Sequence, residues 1–154
     1  MHASPEELAE RYLGAVESFV EALRAVPPEN MDRIEKPGGW SPRDVAFHAA
    51  DVDQMLGLRL RRILGEDYPD LAGADTQAGV GLFRRARLAT SMAVDALLAT
   101  SALHTALIEN LGEEDMRRKG RHSEGYDVSA ADLAAFMAMH VEAHTRQLKR
   151  MLRK

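Results

Sequence analysis

The sequence predicts an all-α fold, a four-helix bundle. Three observations predict it: four stretches with apolar residues at helical spacing, three helix starts built from the same residue types, and no sustained two-residue alternation. Ser4-Pro5-Glu6-Glu7, Ser41-Pro42-Arg43-Asp44 and Ser129-Ala130-Ala131-Asp132 each set a serine ahead of an acid three residues on. In such a pair the serine oxygen takes a free N–H of the first turn, and the acid reaches back to the serine N–H. Pro5 and Pro42 stand at the first helical position, where a missing N–H is harmless. Trp40 before Val45, and Val128 before Leu133, add hydrophobic staples.

The first helix is expected over residues 4–26, with Leu8, Tyr12, Val16, Phe19 and Leu23 on one face and Pro27-Pro28 as its stop. The second covers residues 41–64 and closes before Gly65. The third reads as one long helix from Gly79 or Gly81 to Leu111, its inner side marked by Phe83, Ala86, Val94, Leu97, Leu107 and Leu111, with Gly112 ending it. The fourth covers residues 129–152, and residues 117–127 suit a short extended piece. Residues 1–154 fit one domain. The connections, roughly 13–17 residues each, exceed the 2–8 usual in bundles. The second helix is ~36 Å long. An extended linker over residues 66–78 reaches ~43 Å, enough to return the chain and set the second and third helices parallel.

A net charge of −4 argues against a nucleic-acid partner held through its phosphates, which needs a clustered basic surface. The arginines at 59, 61 and 62, and at 84, 85 and 87, read as solvated helix faces. The absence of cysteine removes disulfides, thiolate catalysis and Cys-based zinc sites, and fits the cytosol. Any metal then needs His, carboxylate, amide or water ligands. Glu6 and Glu7 follow the start without a basic or apolar segment, so no signal peptide is expected. No apolar run reads as long enough to cross a bilayer.

Chemistry concentrates in His140-Val-Glu-Ala-His144-Thr-Arg-Gln147, taken with His48. An H-x3-H pair puts two imidazoles one turn apart on one helix face. His140, His144 and Gln147 share a stripe with Leu133, Met137, Leu148 and Met151, and His48 shares one with Val45, Val52, Met55 and Ile63. Buried imidazoles must hydrogen-bond, meet water or bind a metal, because an unsatisfied polar group costs on the order of 1–3 kcal/mol. If the second and fourth helices are antiparallel neighbours, all three rings reach one level near an end of the bundle. The alternative is three separately satisfied histidines. Gln147 and Asp51 are candidates to hydrogen-bond the ligand imidazoles from behind. His104 reads as structural or exposed, far below the site. His122 reads as solvated or as part of a loop over the pocket, and His2 as terminal and uninformative.

Trp40-Ser41-Pro42, His48 and His140-x3-His144-x2-Gln147 resemble the DinB-like, or YfiT-like, superfamily of metal-binding bundles over nearly the whole chain. Arg59-Leu-Arg-Arg-Ile-Leu-Gly-Glu-Asp and Tyr68-Pro69 resemble the family's second helix and following loop. The resemblance implies an up-down-down-up bundle and a divalent metal, zinc or nickel, on His48, His140 and His144. It also implies a homodimer, and either metal-dependent hydrolysis or transfer with an external small-molecule thiol. Two positions depart from the family: Ala143, where a further histidine is common, and Arg146, where glycine is. The expected protein is thus a cytoplasmic metal-dependent hydrolase or thiol-dependent transferase acting on a small molecule, with no nucleic acid or membrane partner. The alternatives are a non-catalytic dimer with a structural metal or ligand pocket, and a metal-free bundle with a vestigial polar pocket. No general base is named: H-E-x-x-H is absent, since Glu142 lies two residues after His140.

Overall fold

In the computed structural model, residues 3–153 are described; the terminal His2 lies outside them. The elements run α1 (Pro5–Arg24), α2 (Pro42–Gly65), β1 (Asp70–Leu71), α3 (Thr76–Ala86), α4 (Thr90–Glu109), α5 (Glu113–Arg117), β2 (Lys119–His122), β3 (Asp127–Ser129) and α6 (Ala130–Met151). A single 3₁₀ turn, Pro28–Asn30, follows α1. The three serine caps form as the sequence predicts. Ser4, Ser41 and Ser129 each accept from the N–H three residues on, and Glu7, Asp44 and Asp132 return the second bond.

α1, α2, α4 and α6 make the four-helix bundle. Their apolar faces bury Tyr12, Phe19, Leu23, Leu56, Leu60, Ile63, Leu97, Ile108, Met137 and Leu148 in a common core. Side-chain pairs give the directions. Asp53 meets Thr100, and the space beside Gly57 is filled by His104, so α2 and α4 run parallel. His48 at the start of α2 meets His144 late in α6, so those two are antiparallel. The topology is up-down-down-up.

The crossover that permits this differs from the extended linker expected over residues 66–78. α3 makes the return as a helix. Gly79 faces Asp51, Phe83 stacks on Phe47 at 5.1 Å, and Arg84 pairs with Asp44 at 2.6 Å, so α3 climbs antiparallel along α2. Its start is earlier than Gly79 because Asp75 caps it, accepting from the Ala78 N–H.

The single long third helix is likewise corrected. The chain breaks at Arg87, which takes a left-handed conformation (φ 52°), and Ala89 is extended before α4 begins. Arg43 on α2 donates to the Leu88 carbonyl at 2.7 Å, capturing an acceptor freed by the break. A continuous helix over 79–111 would be ~50 Å long and overshoot its neighbours, whereas α4 alone is ~30 Å. The arginines of this region are not simply a solvated face either: Arg84 pairs with the buried carboxylate of Asp44, and Arg59 is itself buried.

The expected extended piece between residues 117 and 127 contains β2. It pairs antiparallel with β3 and parallel with β1, a two-residue strand the sequence does not announce. Gly120 lets β2 lie against Leu71 and the Pro69 carbonyl, each 3.0 Å from where a Cβ would stand. α4 carries apolar residues on its outer as well as its inner side, with Asp95 and Glu109 its exposed charges. Among the described residues it alone is long and apolar enough to cross a membrane by length and composition, which corrects the expectation that no apolar run is. It packs against α1 and α2 and sends Ser101 and His104 into the bundle interior.

Candidate metal centre

The site is built where the first turns of α2 meet the last turns of α6. His48 is buried, and His140 and His144 are half-buried one turn apart. Their rings lie 4.5 Å (His140–His144), 4.8 Å (His48–His144) and 5.3 Å (His48–His140) apart between centroids. One ring nitrogen from each lies within 4.8 Å of the others, close enough for one cation to reach all three. No other His, Asp or Glu among the described residues joins this group.

The hydrogen bonds orient the rings. His144 Nδ1 lies 2.8 Å from Gln147 Oε1. With the amide oxygen accepting, Nδ1 carries the proton and Nε2 carries the lone pair. That Nε2 lies 3.1 Å from His140 Nε2. His48 Nδ1 is buried with no hydrogen-bond partner. Gln147 thus stands behind a site imidazole, whereas Asp51 does not. Its carboxylate turns toward α3, 2.7 Å from where a Cβ on Gly79 would stand, because helix crossing there needs the space a glycine leaves.

Trp40 does more than start α2. Its ring lies 4.6 Å from His48 and 6.3 Å from His144, forming one wall of the site. Burial is the largest influence on all three imidazoles and lowers each pKa. His48 falls to about 4, helped by His144, and His140 to about 3, helped by His144 and His48. His144 is lowered by burial, against the Gln147 bond that raises it. All three are therefore neutral near pH 7, the state in which an imidazole can donate a lone pair.

These shifts set a pH dependence. An unfolded histidine protonates near pH 6.5, and the folded ones resist it. The stability they contribute is fully present above pH 6.5 and is lost as pH falls through 6.5 toward 4 and 3. Urea unfolding of chelator-treated protein is expected to show declining stability from pH 7 to pH 5, with a shallower decline in His140→Gln. Equal slopes in the two would contradict it.

Below the histidines lies a buried polar network the sequence reading did not assemble. The Tyr12 hydroxyl donates to Asp53 Oδ1 at 2.7 Å. His104 Nδ1 lies 3.1 Å from that hydroxyl and 3.2 Å from Asp53 Oδ2, and Thr100 donates to Oδ2 at 3.0 Å. Burial and Asp53 push the Tyr12 pKa far up, so the hydroxyl keeps its proton and donates. His104 is structural, packed where Gly57 has no Cβ; a Cβ there would stand 1.9 Å from its Nε2. The signal for Asp53 was in the sequence: it falls at helical spacing with Ala49, Leu56 and Leu60, a carboxylate inside an apolar stripe. His122 stacks on Tyr126 at 4.5 Å, in the wall of a neighbouring cavity.

The profile of the DinB superfamily matches residues 11–148. The chain belongs to this superfamily. A relative from Bacillus licheniformis is 28% identical over 155 residues, covering 97% of this chain and 87% of that protein, and is named a "putative metal-dependent hydrolase". The solved structure of YfiT from Bacillus subtilis, described as having an unusual four-helix-bundle topology, matches with a TM-score of 0.82 at 21% identity, over 95% of this chain and 86% of that one. A mycothiol-dependent maleylpyruvate isomerase matches with a TM-score of 0.77 at 14% identity, over 95% of this chain but 61% of the isomerase. For this DinB-superfamily chain the two structural likenesses establish the fold.

Proposed function

We propose that His48, His140 and His144 hold a divalent metal ion, zinc or nickel, in an enzyme that hydrolyses a small molecule. The observation that carries this reading is the donor set: three neutral imidazoles with nitrogens within 4.8 Å of one another, one of them the unpartnered His48 Nδ1. With no fourth acidic or histidine group among the described residues, coordination positions stay open to water or substrate. Once bound, such an ion lowers the pKa of a coordinated water to about 7 or holds a thiolate. The chain's own part is to keep the imidazoles neutral by burial, to fix the His144 tautomer through Gln147, and to wall the site with Trp40. The sequence relatives' hydrolase name supports hydrolysis. Thiol transfer with an external small-molecule thiol is the second reading, favoured by the fold shared with a thiol-dependent isomerase.

The test is turnover by metal-loaded protein on ester and amide substrates, beside a low-molecular-weight thiol with an electrophile. Hydrolysis above the His140→Ala background is expected. Turnover only with the thiol would move the assignment to transferase, and none with either would favour a structural metal.

A homodimer is part of this reading. α4 presents Met92, Ala99, Leu103 and Ala106 outward, with the half-buried Ala96 between them completing an alternating four- and three-residue spacing, and Leu103 is 65% exposed. That seam is self-complementary and suits the same helix of a second copy. Leu103→Glu is expected to halve the mass seen by light scattering while leaving helicity unchanged. A monomeric wild type would refute the dimer.

A further inference from the structure

A cavity of about 430 Å³ lies near the metal centre, though none of the three histidines lines it. It lies between α2, α6 and the small sheet. Its link to the histidines is Phe136, which lines it and stands 6.2 Å from the His140 ring. Phe136 and Met139, both exposed, combine with the buried Leu56 into an apolar wall. The far end is polar, and it contains Arg59.

Arg59 is buried, only 9% exposed, yet no carboxylate among the described residues pairs with it. Its Nε and Nη2 both donate to one acceptor, the Ala72 carbonyl, at 3.2 and 2.9 Å. A guanidinium has five N–H groups, so this leaves donors unspent. The acids of the same cavity are engaged elsewhere: Asp127 accepts from the Tyr68 hydroxyl, and Asp132 caps α6. Arg11, the other guanidinium of the lining, is taken by Glu142 in a two-pronged pair. Burying a cation without a counter-charge is costly, and an anionic ligand offsets that cost. Two further polar side chains, Tyr126 and His122, line the same space. His122 Nδ1 accepts from the Glu124 N–H, which leaves the proton on Nε2.

We propose that this cavity binds the acid end of a small organic carboxylate at Arg59, with the ligand's apolar body lying along Phe136 toward the three histidines. Arg59 sits eleven residues beyond His48 on α2, roughly 16 Å along the helix. The substrate class is therefore a carboxylate whose reacting bond is remote from its acid group. Carboxylate binding at Arg59 is independent of the metal. The orientation toward the histidines rests on the metal-centre reading above.

The experiment compares 4-phenylbutyrate with its neutral amide, 4-phenylbutyramide, by titration calorimetry on the full chain after chelation, which removes any carboxylate–metal bond. The acid is expected to bind about tenfold more tightly, the scale of one charge-assisted bond. That advantage should largely disappear in Arg59→Gln. Should Arg59→Gln fold poorly, Phe136→Glu serves in its place, since it sets a negative charge in the cavity from an exposed helical position. Equal affinities for acid and amide, no binding of either, or an advantage untouched by the variants would overturn the proposal. In cobalt(II)-loaded protein, the ring protons of bound phenylbutyrate should relax faster than the methylene beside the carboxylate; the reverse order places the acid on the metal and overturns the orientation. Failure to bind cobalt would sink the metal reading while leaving the acid-against-amide comparison to stand on its own.

Discussion

His140→Ala is expected to reduce divalent-metal binding by a factor of about a thousand or more, because one of three nitrogen donors is lost and the two left cannot close around an ion. The His140 ring lies 4.5 Å from His144 and 5.3 Å from His48, so it is shared by both other members of the cluster. Metal content after dialysis, measured by elemental analysis, should be near one ion per chain in the wild type and near zero in the variant. His48→Ala should behave alike, and circular dichroism should show both folded. Gln147→Ala is the graded control: it frees the His144 ring from its 2.8 Å bond and should weaken binding by about 10–100-fold. If wild type holds metal no better than the folded variants, the three-histidine assignment is wrong.

Asp53→Ala should cost about 3–5 kcal/mol of folding stability, the scale for removing one side of a buried charged network. The carboxylate is 1% exposed and receives Tyr12, Thr100 and the close approach of His104. Its removal takes the acceptor that Tyr12 of α1 and Thr100 and His104 of α4 share, leaving Tyr12 only His104 and Thr100 only its own helix carbonyls. Asp53→Asn keeps the shape and one good acceptor, so its loss should be smaller. Urea unfolding followed by circular dichroism measures both. An Asp53→Ala protein within about 1 kcal/mol of wild type would show that the network is solvated, contrary to its burial.

The two expectations differ in how much of each was legible beforehand. The histidines announce themselves by local rules. His140 and His144 are four apart on one helix, Gln147 is three further on the same stripe, and His48 follows a serine-proline helix start by a fixed count. The capping boxes at Ser4, Ser41 and Ser129 are local in the same sense, since each involves residues three apart. Asp53 carried a trace of its role in its register. Its partners Tyr12 and His104 stand 41 and 51 residues away, and only the packing of three helices joins them. Arg59 was the most misleading. Beside Arg61 and Arg62 it reads as surface charge, but the return of the chain through β1 folds Ala72 over it and buries it.

The break at Arg87 has the same origin. No proline or glycine marks it, and Arg84, Arg85 and Ala86 favour helix. What stops the helix is the length of the bundle, together with the contacts that tie α3 back along α2: Phe83 on Phe47, Arg84 on Asp44, and Arg43 on the Leu88 carbonyl. By itself the sequence determined four bundle helices, three of their starts, and the three imidazoles most suited to share an ion, because caps, stripes and i, i+4 pairs act within a few turns of one chain. Tertiary structure alone decided that the crossover is a helix, that a tyrosine, an aspartate and a histidine meet beneath the site, and that a buried arginine lacks an acidic partner. Those outcomes depend on which distant surfaces exclude water together, and no local pattern encodes that.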